Sequence, residues 1–381
     1  METDRKMLRR RALMSSMLGV GVGAALGTGA RSAWAGDAGA NAPQYQELAN
    51  PAIQVTSLTS HYMIAGTSAG KRLLAGGEHG LIIYSDDGAQ TWRQASVPVS
   101  TTITDIAFAT DKAGWATGGF GVVLNTQDGG QTWVKQLDGI AEIDTMNRTT
   151  QAYIATQPPD SDAVAHLARR AQILTKEGPD KPFLSLLPVS ATEVFAFGTY
   201  RSAEYSTDGG KSWADWSMKI GDPAAKSRNI YGSANLYGGL YLVSEDGVIY
   251  KSTDGGQSFP QLAQPGDATF FGICDAGKGN ILAFGVAGEM YLSTDNGKTW
   301  NPPNFTGSAN VNCGTLLPTG DVVAGDSGGS IWRSKDQGQN FTEVIRNPLL
   351  SINTLLPLGG SRFLILSEAG MFPFDLSAVQ G

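Results

Sequence analysis

One short phrase recurs six times along the 381-residue chain. It reads SDDGAQTW at 85–92, TQDGGQTW at 126–133 and STDGGKSW at 206–213. It returns as STDGGQSF at 252–259, STDNGKTW at 293–300 and SKDQGQNF at 334–341. Its aspartates are Asp87, Asp128, Asp208, Asp254, Asp295 and Asp336, with successive gaps of 41, 80, 46, 41 and 41 residues. A unit of this length cannot enclose a core alone; it must stack on copies of itself. Short alternating apolar runs with glycine breaks fill each period, as strands joined by hairpins do. The length is that of one four-stranded propeller blade.

The second repeat carries the pattern in full. Residues 103–109 read as a first strand, 114–119 as a second, 121–126 as a third and 132–137 as a fourth. The register extends upstream. Twelve residues before each aspartate stand Ala75, Ala116, Ala196, Leu242, Ala283 and Ala324; seven before stand Gly80, Gly121, Arg201, Gly247, Gly288 and Gly329. That glycine marks the hairpin between second and third strands. Residues 351–358, 362–367 and 371–375 repeat the theme without the phrase, supplying three strands more. The segment Tyr45 to Leu48 is expected to pair with them as a fourth strand and close the ring through the chain ends, leaving no open edge. The reading is an all-β, seven-bladed propeller over 36–381.

The phrase matches the Asp-box, S-x-D-x-G-x-T-W, and each position has a mechanical task. The aspartate accepts hydrogen bonds from backbone N–H groups of its own turn. The glycine two residues later supplies a positive φ. The aromatic opens the fourth strand and buries apolar area between blades. The six aspartates are therefore read as structural.

Charge narrows the partners. The first 35 residues hold six Lys/Arg and two Asp/Glu, so the rest carries 22 basic and 33 acidic residues, a balance of minus eleven. An acidic body argues against nucleic-acid binding. Arg9, Arg10 and Arg11 precede an apolar Gly/Ala-rich run over 12–30, and Ala33-Trp34-Ala35 fits a cleavage site, so 1–35 reads as an export signal, loosely of twin-arginine type. The mature chain would start at Gly36 in the periplasm or outside the cell, as a monomer. No cysteine lies in this segment to take a lipid. Only Cys274 and Cys313 exist. Both fall on innermost strands of neighbouring blades; export permits a disulfide between them, and two separate thiols are the competing state.

The gap of 80 residues hides a surplus over 138–182. Val164, Leu167, Ala171 and Leu174 form one apolar helical stripe, Ser161 or Asp160 can cap it, and Gly178-Pro179 ends it. Residues 140–154 read as a second helix. The surplus joins a fourth strand to the next first strand. Antiparallel order puts it with the second-to-third hairpins, opposite the boxes, beside His79, Phe120, Tyr200, Arg201, Asp246 and Ala287 at the mouth of the channel. This irregular face is the expected partner-binding face. Arg201 stands where five repeats carry glycine, so its hairpin is expected to differ.

Chemical motifs are thin. Gly66-Thr67-Ser68-Ala69-Gly70 matches G-x-S-x-G but links two strands where a strand-to-helix elbow is required. Gly325-Asp326-Ser327-Gly328-Gly329 matches a serine-protease nucleophile segment, yet repeat register explains it. His61, His79 and His166 with two distant cysteines form no zinc pattern. No cofactor, metal or catalytic residue is called for. A secreted glycan-active hydrolase of the sialidase type is the alternative, since such enzymes also use Asp-boxes on propellers. It would need three converging arginines, and Arg72, Arg228, Arg333 and Arg362 are scattered over different strands.

The blade phrase as a whole is more specific than the box. Ile103-Thr104-Asp105-Ile106-Ala107-Phe108 leads to Gly114-Trp115-Ala116-Thr117-Gly118-Gly119 and through Gly121-Val122-Val123-Leu124 into the box. This resembles the photosystem II stability/assembly factor family of Asp-box propellers, over nearly all the mature chain except 138–182. The resemblance implies a non-enzymatic propeller beyond a membrane, binding membrane-protein complex subunits; a role beside a membrane transporter is one version. Cyanobacterial members of that family are typically lipid-anchored and use an arginine patch. This chain has no lipobox cysteine, and only Arg201 sits on the matching hairpins.

Overall fold

The computed structural model describes residues 45–348 and 350–379. The export segment lies outside them. Seven antiparallel sheets follow one another. Blade one comprises Met63–Ala69, Arg72–Gly77, Ile82–Ser85 and Arg93–Gln94. Blade two comprises Ile103–Phe108, Gly114–Gly118, Val123–Thr126 and Val134–Leu137, close to the sequence reading. The first strands of blades three to seven are Phe183–Pro188, Ile230–Leu236, Phe270–Gly277, Val311–Leu316 and Ile352–Gly359. Each first strand touches the next, and that of blade seven touches that of blade one, so the ring is closed. The fold is the expected seven-bladed propeller.

The core lies between blades. Each adjacent pair encloses one apolar cluster among the described residues. The register position twelve before each box aspartate sits at the centre of a second strand. Ala75, Ala116, Ala196, Leu242, Ala283 and Ala324 are all fully buried there. Small side chains at five of the six let neighbouring sheets approach closely, which native packing density demands.

The boxes are self-contained turns. Asp128 Oδ1 accepts from the backbone N–H of Gln131 (2.9 Å) and Thr132 (3.0 Å), and its Oδ2 accepts from the Thr132 hydroxyl (2.6 Å). Thr126 donates to Asp128 and accepts from the Gly130 N–H. These donors hold the box carboxyls low. Asp87, Asp208 and Asp295 lie near 2, chiefly through the hydroxyl four residues on, and Asp254 through Ser252 first. Two successive residues, not one, take positive φ: Gly129 (73°) and Gly130 (86°), or Asn296 (60°) and Gly297 (84°). The second glycine is also a contact requirement. A Cβ on Gly130 would meet Leu74 Cδ2 of the preceding blade at 2.3 Å, and one on Gly256 would meet Phe195 Cζ at 2.3 Å.

Closure differs from expectation. Tyr45 to Leu48 supplies no strand: Gln46–Ala49 is a short helix, α1, with Leu48 buried between blades one and two. Blade seven keeps three strands, ending at Gly370–Asp375. Pro373 on that last strand has no N–H to offer a further neighbour, which suits an edge. The seam is held from the inside. Asn353 Nδ2 donates to the Met63 carbonyl (2.9 Å), Thr354 Oγ1 to that of Ile64 (2.6 Å), and Leu356, Leu364 and Leu366 pack on Met63 and Ala75.

Candidate interaction face

The second-to-third hairpins of blades one to five share one backbone form. His79, Phe120, Tyr200, Asp246 and Ala287 take φ of 53–58°, and the next residue is left-handed too. Glycine follows four of them because the chain entering the next blade crosses there. A Cβ on Gly80 would lie 2.1 Å from the Val99 carbonyl oxygen, on Gly247 2.1 Å from that of Gly266, and on Gly288 2.3 Å from that of Gly307.

Arg201 corrects the reading of its slot. It keeps the same turn, with φ of 61°, rather than a different hairpin. It is also not a surface contact, being 2% exposed. Its guanidinium donates to the carbonyls of Asp222 (2.9 Å) and Pro223 (3.1 Å). Those acceptors lie in the connection to blade four, which is lengthened: the gap between the third and fourth boxes is 46 residues where 41 is usual. The added loop makes room for the side chain and receives it. Burial, with the like charge of Arg170 second, lowers Arg201 to about 10, so it remains charged at neutral pH.

The surplus forms two helices, α2 (Gly139–Ile154) and α3 (Asp162–Glu177). Asp138 caps α2 through Ile140 and Ala141 N–H, and Ser161 caps α3 through that of Val164. The start of α2 is pinned to the blade-two hairpin, where Gly139 N–H donates to the Phe120 carbonyl at 2.7 Å. From α3, Arg170 Nε donates to the Tyr200 carbonyl (3.0 Å), and His166 meets Ser227 (3.3 Å). The helices are therefore anchored to the hairpins of blades two and three.

Beneath them sequence reading missed a buried charge cluster. Glu142 of α2, Arg170 of α3, and Arg201, Glu204 and Asp215 of blade three are each under a tenth exposed. Ser202 Oγ donates to Glu142 (2.9 Å). Burial raises all three carboxyls; for Glu204 the rise is large, helped by Asp215 and Glu142. Both Glu204 oxygens, one Asp215 oxygen and Arg170 Nη2 lack a partner among the described residues. A signal was present: Arg170 lies three residues after Leu167 and four before Leu174, on the stripe that packs inward.

The remaining face residues stay apart, one per blade. His79 and Tyr200 are exposed. Phe120 packs against Tyr45, ring centres 6.1 Å apart. Asp246 pairs with Lys226 (2.8 Å) and Arg228 (3.2 Å). The four arginines weighed for sialidase chemistry do not converge. Arg72 holds Asp86 and the carbonyl of Asp128, Arg228 holds Asp246, Arg333 holds Asp321, and Arg362 lies on the blade-seven middle strand. Ser68 lies within the first strand of blade one, and Asp326 accepts from Gly328, Ser330 and Trp332 Nε1 as a turn brace. Cys274 and Cys313 are free thiols, and burial of their sulfurs pushes both up to about 12.

Residues 84–156 match the family model described as photosynthesis system II assembly factor YCF48. The chain resembles that family. Residues 204–215 and 291–302 match the BNR/Asp-box repeat. Among solved structures, YCF48 bound to D1 peptide is 15% identical, with a TM-score of 0.59, covering 87% of this chain and all of that one. YCF48 from Cyanidioschyzon merolae is also 15% identical at 0.59, covering 86% of this chain and all of its own. The WD40 propeller domain of Doa1 follows at 10% and 0.58, with 86% and 95% covered. At such identities the likeness is one of fold. No curated protein matches the sequence.

Proposed function

We propose that this chain is a non-enzymatic assembly-factor propeller that binds membrane-protein subunits on its hairpin face and assists their assembly or stability. The observation that carries this reading is the assembly-factor match over 84–156, set in a propeller whose fold is shared with a YCF48 bound to D1 peptide. The division of faces supports it. The boxes repeat nearly verbatim, whereas the hairpins differ from blade to blade and the helical insertion lies on their side. Recognition of one partner needs such irregularity. The separation of Arg72, Arg228, Arg333 and Arg362 argues against the glycan-hydrolase alternative.

The chain acts after export, with cleavage following Ala35. A membrane transporter is one candidate partner. Tagged protein purified from detergent-solubilised membranes should bring down a membrane-protein subunit in near-stoichiometric amount. Recovery of soluble proteins only, or hydrolysis of sialosides by the pure protein, would overturn the proposal.

A further inference from the structure

Two hollows open beside hairpins of this face. The first, of about 340 Å³, lies where the chain before blade one crosses the blade-one hairpin. It is lined by Ile53, Val55 and Leu81 together with Tyr62, Glu78 and His79. Burial first, then the charges of Glu368 on the blade-seven hairpin and of Glu78, raise the Tyr62 hydroxyl. The second hollow, of about 210 Å³, is walled by Glu289, Tyr291, Pro302, Pro303 and Phe305 of blade five and its outgoing chain. There Glu289 Oε2 is buried without a partner.

Three glutamates thus stand out. Other hairpin carboxylates are satisfied: Asp246 by two cations, Glu245 by Asn229, Asp326 by its own turn. Glu78, Glu368 and Glu289 form no ion pair or side-chain hydrogen bond among the described residues. An unpaired carboxylate beside apolar and aromatic walls suits a cation on an aliphatic stem.

We infer that these hollows receive lysine or arginine side chains of a partner peptide. The stem lies on Ile53, Val55 and Leu81, with the cationic head at Glu78; Glu289 repeats the arrangement against Tyr291 and Phe305. This rests on the hairpin face being the partner face, and it sets the sign of what that face recognises.

The test uses the whole mature protein and three pentapeptides in calorimetric titration. Acetyl-Leu-Arg-Leu-Lys-Leu-amide should bind. The same peptide with both basic residues changed to glutamine should bind at least about tenfold more weakly, and the glutamate version not at all. A tenfold rise in salt should weaken the basic peptide markedly. Glu78→Gln with Glu368→Gln should weaken it about tenfold, and Glu289→Gln separately to a lesser degree. Equal affinity for the glutamine peptide, unchanged affinity in both sets of variants, or no binding of the basic peptide at millimolar concentration would overturn the inference. If a membrane protein co-purifies but the basic peptide does not bind, only this inference falls. If the peptide binds and no membrane protein co-purifies, the functional reading falls instead.

Discussion

Arg201→Ala and Arg201→Gly separate what the side chain does from what its backbone costs. Its guanidinium gives two charged hydrogen bonds to buried carbonyls, at 2.9 and 3.1 Å. Each such bond contributes about 1.5–3 kcal/mol, so their joint loss should destabilise the protein by about 3–6 kcal/mol. Glycine then recovers part of the deficit, because alanine keeps a Cβ at φ of 61°. Left-handed backbone costs a non-glycine residue about 1–2 kcal/mol. Arg201→Gly should therefore be the more stable of the two variants by about that amount, while both fall below the parent. Urea unfolding followed by tryptophan fluorescence measures all three. Two outcomes refute the reasoning. One is a pair of variants within about 0.5 kcal/mol of the parent, as an exposed arginine would give. The other is a glycine variant less stable than the alanine one.

Stability should pass through a maximum between about pH 4 and 6. Asp105, half-buried where it accepts from Leu186 and Ile106 N–H, is raised to about 6 by desolvation, and Glu204, Asp215 and Glu142 are raised as well. Stability from raised acids is present in acid and lost as pH climbs through their folded values. The box aspartates near 2 work oppositely, losing their contribution as pH falls below the ordinary carboxylate range. A melting temperature higher at pH 8 than at pH 5 contradicts this, and Glu204→Gln should flatten the alkaline side. Asp128→Ala removes the acceptor of three turn donors and should lower stability by about 1–3 kcal/mol; an unchanged midpoint would deny the box its bracing role. Leu48→Ala should lose about 2–4 kcal/mol, since α1 acts through apolar burial rather than strand pairing; a loss below 1 kcal/mol would return the segment to a peripheral role. N-terminal sequencing of the native protein should begin at Gly36, and a retained Met1 would remove the export proposal.

The blade architecture was legible because it is repeated. Six copies of a turn fix register, and register fixes strands, hairpins and the two faces. The helices of the insertion were legible from Leu167 and Leu174 and from the capping Ser161. What escaped was single and nonlocal. Tyr45 to Leu48 has the composition of a strand as much as a helix, and its fate depends on where Leu48 finds apolar cover. Arg201 reads as a broken turn in sequence because the other five repeats carry glycine at its slot. The acceptors that stabilise it lie about twenty residues on, in a loop whose extra length was visible but unexplained. The cluster of Glu142, Arg170, Glu204 and Asp215 joins residues up to 73 positions apart. No local pattern brings them together; only the fold does.

We propose that membrane-protein subunits dock on the hairpin face. A photo-crosslinking residue placed in turn at His79, Asp246 and, on an exposed box, Lys298 tests it most directly in intact membranes. Adducts with a membrane-protein subunit are expected from positions 79 and 246 and none from 298. Adducts from 298 alone, or from none of the three, would contradict it.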